Sequence, residues 1–178
     1  MTTHGIESLI TPASDADLES LTELLCDAVN SGSAVSFMAP LAKETAEAWW
    51  RKTLSGADPR TVFLVARIDG EIVGTVQLHA CWAPNQPHRA DIAKLIVHRR
   101  ARGKGLGRAL MEAVEREAED VGYSLLVLDT RRGCEAEGLY RKLGWTEAGA
   151  IPDFALNADG SGYHATVIFY KQIARATA

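Results

Sequence analysis

The chain is short of the features that would make it a membrane, secreted or metal-binding protein. Among its 178 residues no uncharged apolar run approaches the ~20 residues of a membrane span. The first residues, MTTHGIES, lack the basic-then-apolar layout of a signal peptide. Cysteine is scarce: Cys26, Cys81 and Cys134 are odd in number, far apart and without a CxxC pair, which excludes a disulfide framework or a zinc knuckle and points to the cytoplasm. The five histidines are scattered and form no HExxH, so no metal site is expected. No Gly/Ser linker, repeat or composition break divides the chain, and residues 1–178 read as one domain.

What is present is an ordinary globular composition, 47% hydrophobic and 24% charged, with 19 Lys+Arg against 23 Asp+Glu. A net charge of −4 argues against a general nucleic-acid binder. The cations are unevenly spread. Arg99–Arg108 holds five of the 19 and no anion, which leaves 14 cations against 23 anions elsewhere, a balance of −9.

Periodicity and breakers give an element order of βααβββαβαββ. Ile6–Thr11 reads as a strand, and Ser14 caps a helix running to about Asn30. Lys43–Leu54 reads as a second helix. Val62–Ile68 and Glu71–Ala80 are strands joined by Asp69-Gly70, a two-residue hairpin signal. Ala90–His98 is the next strand, Gly105–Asp120 an amphipathic helix, and Ser124–Asp129 a short apolar strand. Cys134–Leu143 reads as a helix and Trp145–Ala150 as a strand; the polar Asn157–Gly162 loop precedes the last strand, Ala165–Lys171. Hairpins followed by βαβ units imply an α/β (mixed α+β) fold, a mixed sheet with helices on both faces.

The segment Arg102-Gly103-Lys104-Gly105-Leu106-Gly107-Arg108 joins a strand to a helix, the setting of a phosphate-binding loop: glycines admit the ligand, backbone N–H groups converge, and the helix N-terminus adds positive charge. A dinucleotide GxGxxG fails, since it needs glycine at Arg108 or Leu110. A P-loop fails because Arg108-Ala109 follows Gly107. A solvated basic turn or a nucleic-acid patch is the plainer alternative, but neither needs the glycines.

The pattern R-G-K-G-L-G, with Leu139-Tyr140-Arg141-Lys142-Leu143-Gly144-Trp145 about 30 residues later, resembles the GCN5-related N-acetyltransferase (GNAT) superfamily. Gly32–Ala39, Gln77-Leu78, Leu128-Asp129-Thr130 and Asp159-Gly160 are similar to its tabtoxin-resistance subgroup. Arg99 stands where the family often has proline, and Gly133 where it often has asparagine. The resemblance implies a largely antiparallel sheet splayed at the cofactor strand, with acetyl-CoA as cofactor. Backbone N–H groups from Arg102, Gly103, Lys104, Gly105, Leu106, Gly107 and Arg108 would cradle its diphosphate. Leu95, Ile96 and Val97 would pair with the pantetheine arm, the Leu95 N–H bonding the thioester carbonyl as it gains charge. Tyr140 would return a proton to the thiolate; otherwise it is an aromatic core residue.

The resemblance also turns Asp91 and Asp129 toward the substrate cleft, Asp91 as base and Asp129 as substrate orienter, with the exchanged roles as the alternative. Each could instead be a solvated strand end. Phe37 and Met38 either plug the core or line the acceptor side. Adjacent Trp49 and Trp50 cannot both face inward. Cys134, with no base beside it, reads as non-catalytic. The expected reaction is direct acetylation of a small amino-acid-like toxin or antibiotic amine by a monomer or homodimer. Protein-lysine or N-terminal acetylation is the nearer alternative, and a non-catalytic acyl-CoA sensor the rival.

Overall fold

In the computed structural model, which describes residues 5–173, the expected order appears in full. The elements are β1 (Gly5–Ser8), α1 (Asp15–Asn30), α2 (Lys43–Ser55), β2 (Val62–Ile68), β3 (Glu71–Ala80), β4 (Arg89–Val97), α3 (Leu106–Val121), β5 (Leu125–Arg131), α4 (Glu135–Lys142), β6 (Thr146–Leu156) and β7 (Tyr163–Gln172). A 3-10 turn over Arg99–Ala101 was not foreseen. No helix among the described residues is long and apolar enough to cross a membrane.

Local chemistry accounts for the main boundaries. The Ser14 hydroxyl accepts the Asp17 N–H at 3.1 Å, with Asp15 and Asp17 in the first turn of α1. Asp69 and Gly70 both have positive φ, 52° and 87°, as a two-residue hairpin turn requires. β6 runs to Leu156 rather than ending at Ala150. Pro152 and the left-handed Asp153 interrupt its ladder with β7, which only an edge strand tolerates, and they hide the strand from a periodicity reading.

The sheet order is β1-β2-β3-β4-β5-β7-β6, antiparallel except for β4 and β5. Its two faces carry separate cores. On one, α3 and α4 bury Leu110, Met111, Val114 and Tyr140 against Leu78, Leu126, Leu128 and Phe169. On the other, α1 and α2 bury Leu21, Leu25 and Trp50 against Phe63, Val65 and Ile96. Trp50 is the inward tryptophan, its indole N–H donating to the Leu21 carbonyl at 2.8 Å.

Candidate active site

The sheet opens at its one parallel pair. β4 and β5 are joined only through Arg89–Leu125, Ala90–Leu126 and Asp91–Val127. Beyond them β5 keeps pairing with β7 and β4 with β3, so the two strands part. The gap is a cleft of about 300 Å³ lined by Asp91, Ala93, Val127, Asp129, Phe154, Thr166 and Ile168, among others.

A bulge in β4 lies beside the gap. Lys94 and Leu95 together oppose Val76, and Lys94 takes a φ of 54°. The extra residue reverses the strand's faces: Ile92 packs with the α3–α4 core and Ile96 with the α1–α2 core. Leu95 and Val97, two of the three expected cofactor-strand residues, flank Ile96 on the α3–α4 side.

The basic loop leads from β4 into α3. Gly103 and Gly105 are left-handed, with φ of 75° and 81°. Gly105 is the α3 N-cap, so no side chain caps the first-turn amides at Leu106, Gly107 and Arg108, and that turn holds no acid. Leu106 is buried, and a Cβ on Gly107 would meet Leu139 of α4 at 3.4 Å. The loop is braced from behind: Asp27 of α1, buried, accepts the Arg99 N–H at 3.0 Å and pairs with its guanidinium. Arg100 pairs with Glu71, Arg108 with Glu112, and Arg102 donates to the Val97 carbonyl at 3.1 Å. The concentrated charge of the sequence is therefore partly answered, and Arg102 and Lys104 are the exposed loop cations without an ion pair among the described residues. Left-handed glycines, an uncapped helix start and unopposed cations fit a diphosphate.

Asp91 and Asp129 come together in the cleft. Asp91 accepts the Arg89 guanidinium at 2.7 Å, and Asp129 accepts the Thr166 hydroxyl at 2.9 Å. Tyr140 lies on the opposite face, among Trp145 and Phe169 at ring-centroid distances of 6.2 and 5.9 Å. Burial pushes its phenol well above the ordinary range, and Cys134 and Asp129 add to the shift. Cys134 is the α4 N-cap and shares a hydrogen bond with Thr130. Gly133, left-handed at φ 79°, donates its N–H to Glu137; asparagine is the other residue that tolerates such a turn.

Phe37 is not in the cleft lining. It packs edge-on against Trp49 at 5.4 Å, while Met38 is exposed. The loop carrying them is tied down by Lys94, whose ammonium donates to the Val35 carbonyl at 3.0 Å and the Ser36 hydroxyl at 3.1 Å and lies over the Trp49 ring. Burial pushes Lys94 below its ordinary range. Lys94, Arg89, Thr166 and Phe154 escaped the sequence reading. Arg89 alone left a signal there, a cation two residues before Asp91, although the strand was expected to begin only at Ala90 and in fact begins at Arg89.

The sheet thus opens with the glycine loop and Tyr140 on the α3–α4 side and with Asp91 and Asp129 in the cleft on the other. Residues 19–145 match the Acetyltransferase (GNAT) family, and the chain belongs to it, an N-acetyltransferase of a family that uses acetyl-CoA. An N-acetyltransferase of Azospirillum brasilense, from the hisH–hisA intergenic region, is 36% identical over 133 residues, 74% of this chain and 76% of that protein. The L-methionine sulfoximine/L-methionine sulfone acetyltransferase of Pseudomonas aeruginosa is 28% identical over 145 residues, 80% and 83% of the two chains. A Salmonella typhimurium structure solved with its cofactor acetyl-CoA superposes with a TM-score of 0.76 at 20% identity, covering 99% of this chain and 98% of that one.

Proposed function

We propose that the chain moves an acetyl group from acetyl-CoA to the primary amine of a small, amino-acid-like molecule, both bound at once, in the cytoplasm. The observation that carries this reading is the window between β4 and β5, with the glycine loop and Tyr140 on one face and Asp91 and Asp129 at the other. The amides from Arg102 to Arg108, with the Arg102 and Lys104 charges, hold the diphosphate. The backbone of Leu95–Val97, turned by the bulge, would hold the pantetheine arm, with the Leu95 N–H as a donor for the carbonyl. When bound, acetyl-CoA supplies an activated acyl group on a sulfur that can leave.

Asp91 and Asp129 attract and orient the cationic amine, and Tyr140 gives the departing sulfur its proton. A cleft of about 300 Å³ suits a molecule of amino-acid size rather than a folded protein. The Pseudomonas relative acts on two methionine derivatives, which supports the same acceptor class here. Thiol release measured across amino acids, their sulfoximine and sulfone derivatives, β-lactam toxins, polyamines and peptides is the test. Turnover is expected in the amino-acid-like group; turnover confined to peptides overturns the acceptor class, and none at all overturns the transfer.

A further inference from the structure

Asp91 has a neighbour that the reaction as described leaves unused. His79 of β3 is its cross-strand partner, on the α1–α2 side of the sheet. The His79 Nε2 lies 2.9 Å from Oε1 of Gln77, two residues back on the same face. Gln77 is only 2% exposed, and its amide nitrogen has no hydrogen-bond partner. A buried glutamine with one end committed to an imidazole and the other open is costly unless the arrangement serves something. With Oε1 accepting, the hydrogen sits on Nε2, and Nδ1 keeps the lone pair. The charges facing the ring are Asp91 and Lys94 of β4, while β2 presents the Phe63 ring edge-on at 6.4 Å.

Chemistry gives the pair a task. An alkylammonium titrates near 10 and a carboxylic acid ordinarily near 4, so a carboxylate orients the ammonium yet keeps little of its proton at neutral pH. Imidazole lies between them. Burial pushes His79 below its ordinary range, Asp91 opposing and Lys94 reinforcing, so the ring is neutral at pH 7 and able to accept.

We propose that His79, its tautomer set by Gln77, receives the proton lost by the acceptor amine, passed along Asp91. This rests on the acetyl-transfer reading above. The ammonium N–H bond breaks and its proton ends on Nδ1, then leaves to solvent. The free nitrogen forms the new C–N bond as the C–S bond breaks, and its second proton balances the departing thiolate through Tyr140. His79 acts as a relay and positioning residue, without touching the substrate.

The experiment is the pH profile of kcat for wild type and His79→Gln, using the best amine of the thiol-release screen, beside imidazole nitrogen NMR of the resting enzyme. The wild type should show an acid limb below the ordinary histidine range. His79→Gln should lose about 100-fold in kcat near pH 7 and lose that limb, with acetyl-CoA affinity unchanged. NMR should find Nε2–H in the wild type and a mixture of tautomers in Gln77→Leu. An acid limb retained in His79→Gln, or Nδ1–H in the wild type, overturns the relay alone. A wild type that releases no thiol overturns the transfer reading as well.

Discussion

Tyr140 sits between Trp145 and Phe169 with a hydroxyl that no group among the described residues engages. Because burial raises its pKa, the phenol stays protonated throughout any ordinary assay range, the state a proton donor needs. Tyr140→Phe keeps the ring packing and removes only the donor. Steady-state kinetics should therefore show kcat reduced about 100-fold with the acetyl-CoA KM nearly unchanged; an unaltered kcat removes the acid role. Asp91 and Asp129 were singled out through the family resemblance, and both line the cleft, although Asp129 lies within β5 rather than at its end. Lys94 and His79 were not singled out. A lysine within an apolar strand reads as an outward residue, and only the bulge turns it toward the loop that carries Phe37. The meaning of His79 lies in its partner across the ladder, a register that no local pattern encodes.

At the scale of elements, α3 crosses the sheet over a glycine. A Cβ on Gly74 would stand 3.1 Å from the Leu110 side chain and 3.3 Å from the Ile96 carbonyl. The carbonyl is backbone beside the bulge and cannot swing away, so the crowding falls on α3. Gly74→Ala is expected to cost about 1–3 kcal/mol, read by thermal or urea denaturation, and to weaken coenzyme binding through the displaced loop. Wild-type stability in that variant would show that α3 has room the contact distances deny. The elements themselves were readable where alternation and capping agree, as for β2, β3 and α3. Reading failed at β6, where the outward-facing edge strand carries proline and a left-handed aspartate and so keeps neither period nor propensity.

For the whole molecule, charge is arranged more sparingly than the count of loop cations suggests. Asp27, Glu71 and Glu112 reach in from α1, β3 and α3 to occupy Arg99, Arg100 and Arg108, leaving Arg102 and Lys104 without an ion pair among the described residues. Coenzyme A bound to the native chain alone stabilises it by mass action. At 100 times its Kd the gain is about 2.7 kcal/mol, a rise of roughly 5–10 °C in melting temperature for a chain of this length. Differential scanning fluorimetry should show that rise, shrinking in high salt and in Arg102→Ala with Lys104→Ala. A melting temperature indifferent to coenzyme A would contradict the loop assignment.

The two cores share a sheet and little else, since α1 and α2 pack on one side and α3 and α4 on the other. An organisation of that kind separates inheritance from invention. Changes in α1, α2 and the loop held by Lys94 fall on a core of their own and leave the packing of α3 and α4 undisturbed. The exception is Asp27, which reaches from α1 to Arg99, ahead of the glycine loop. It is the position at which altering one half would first be felt by the other.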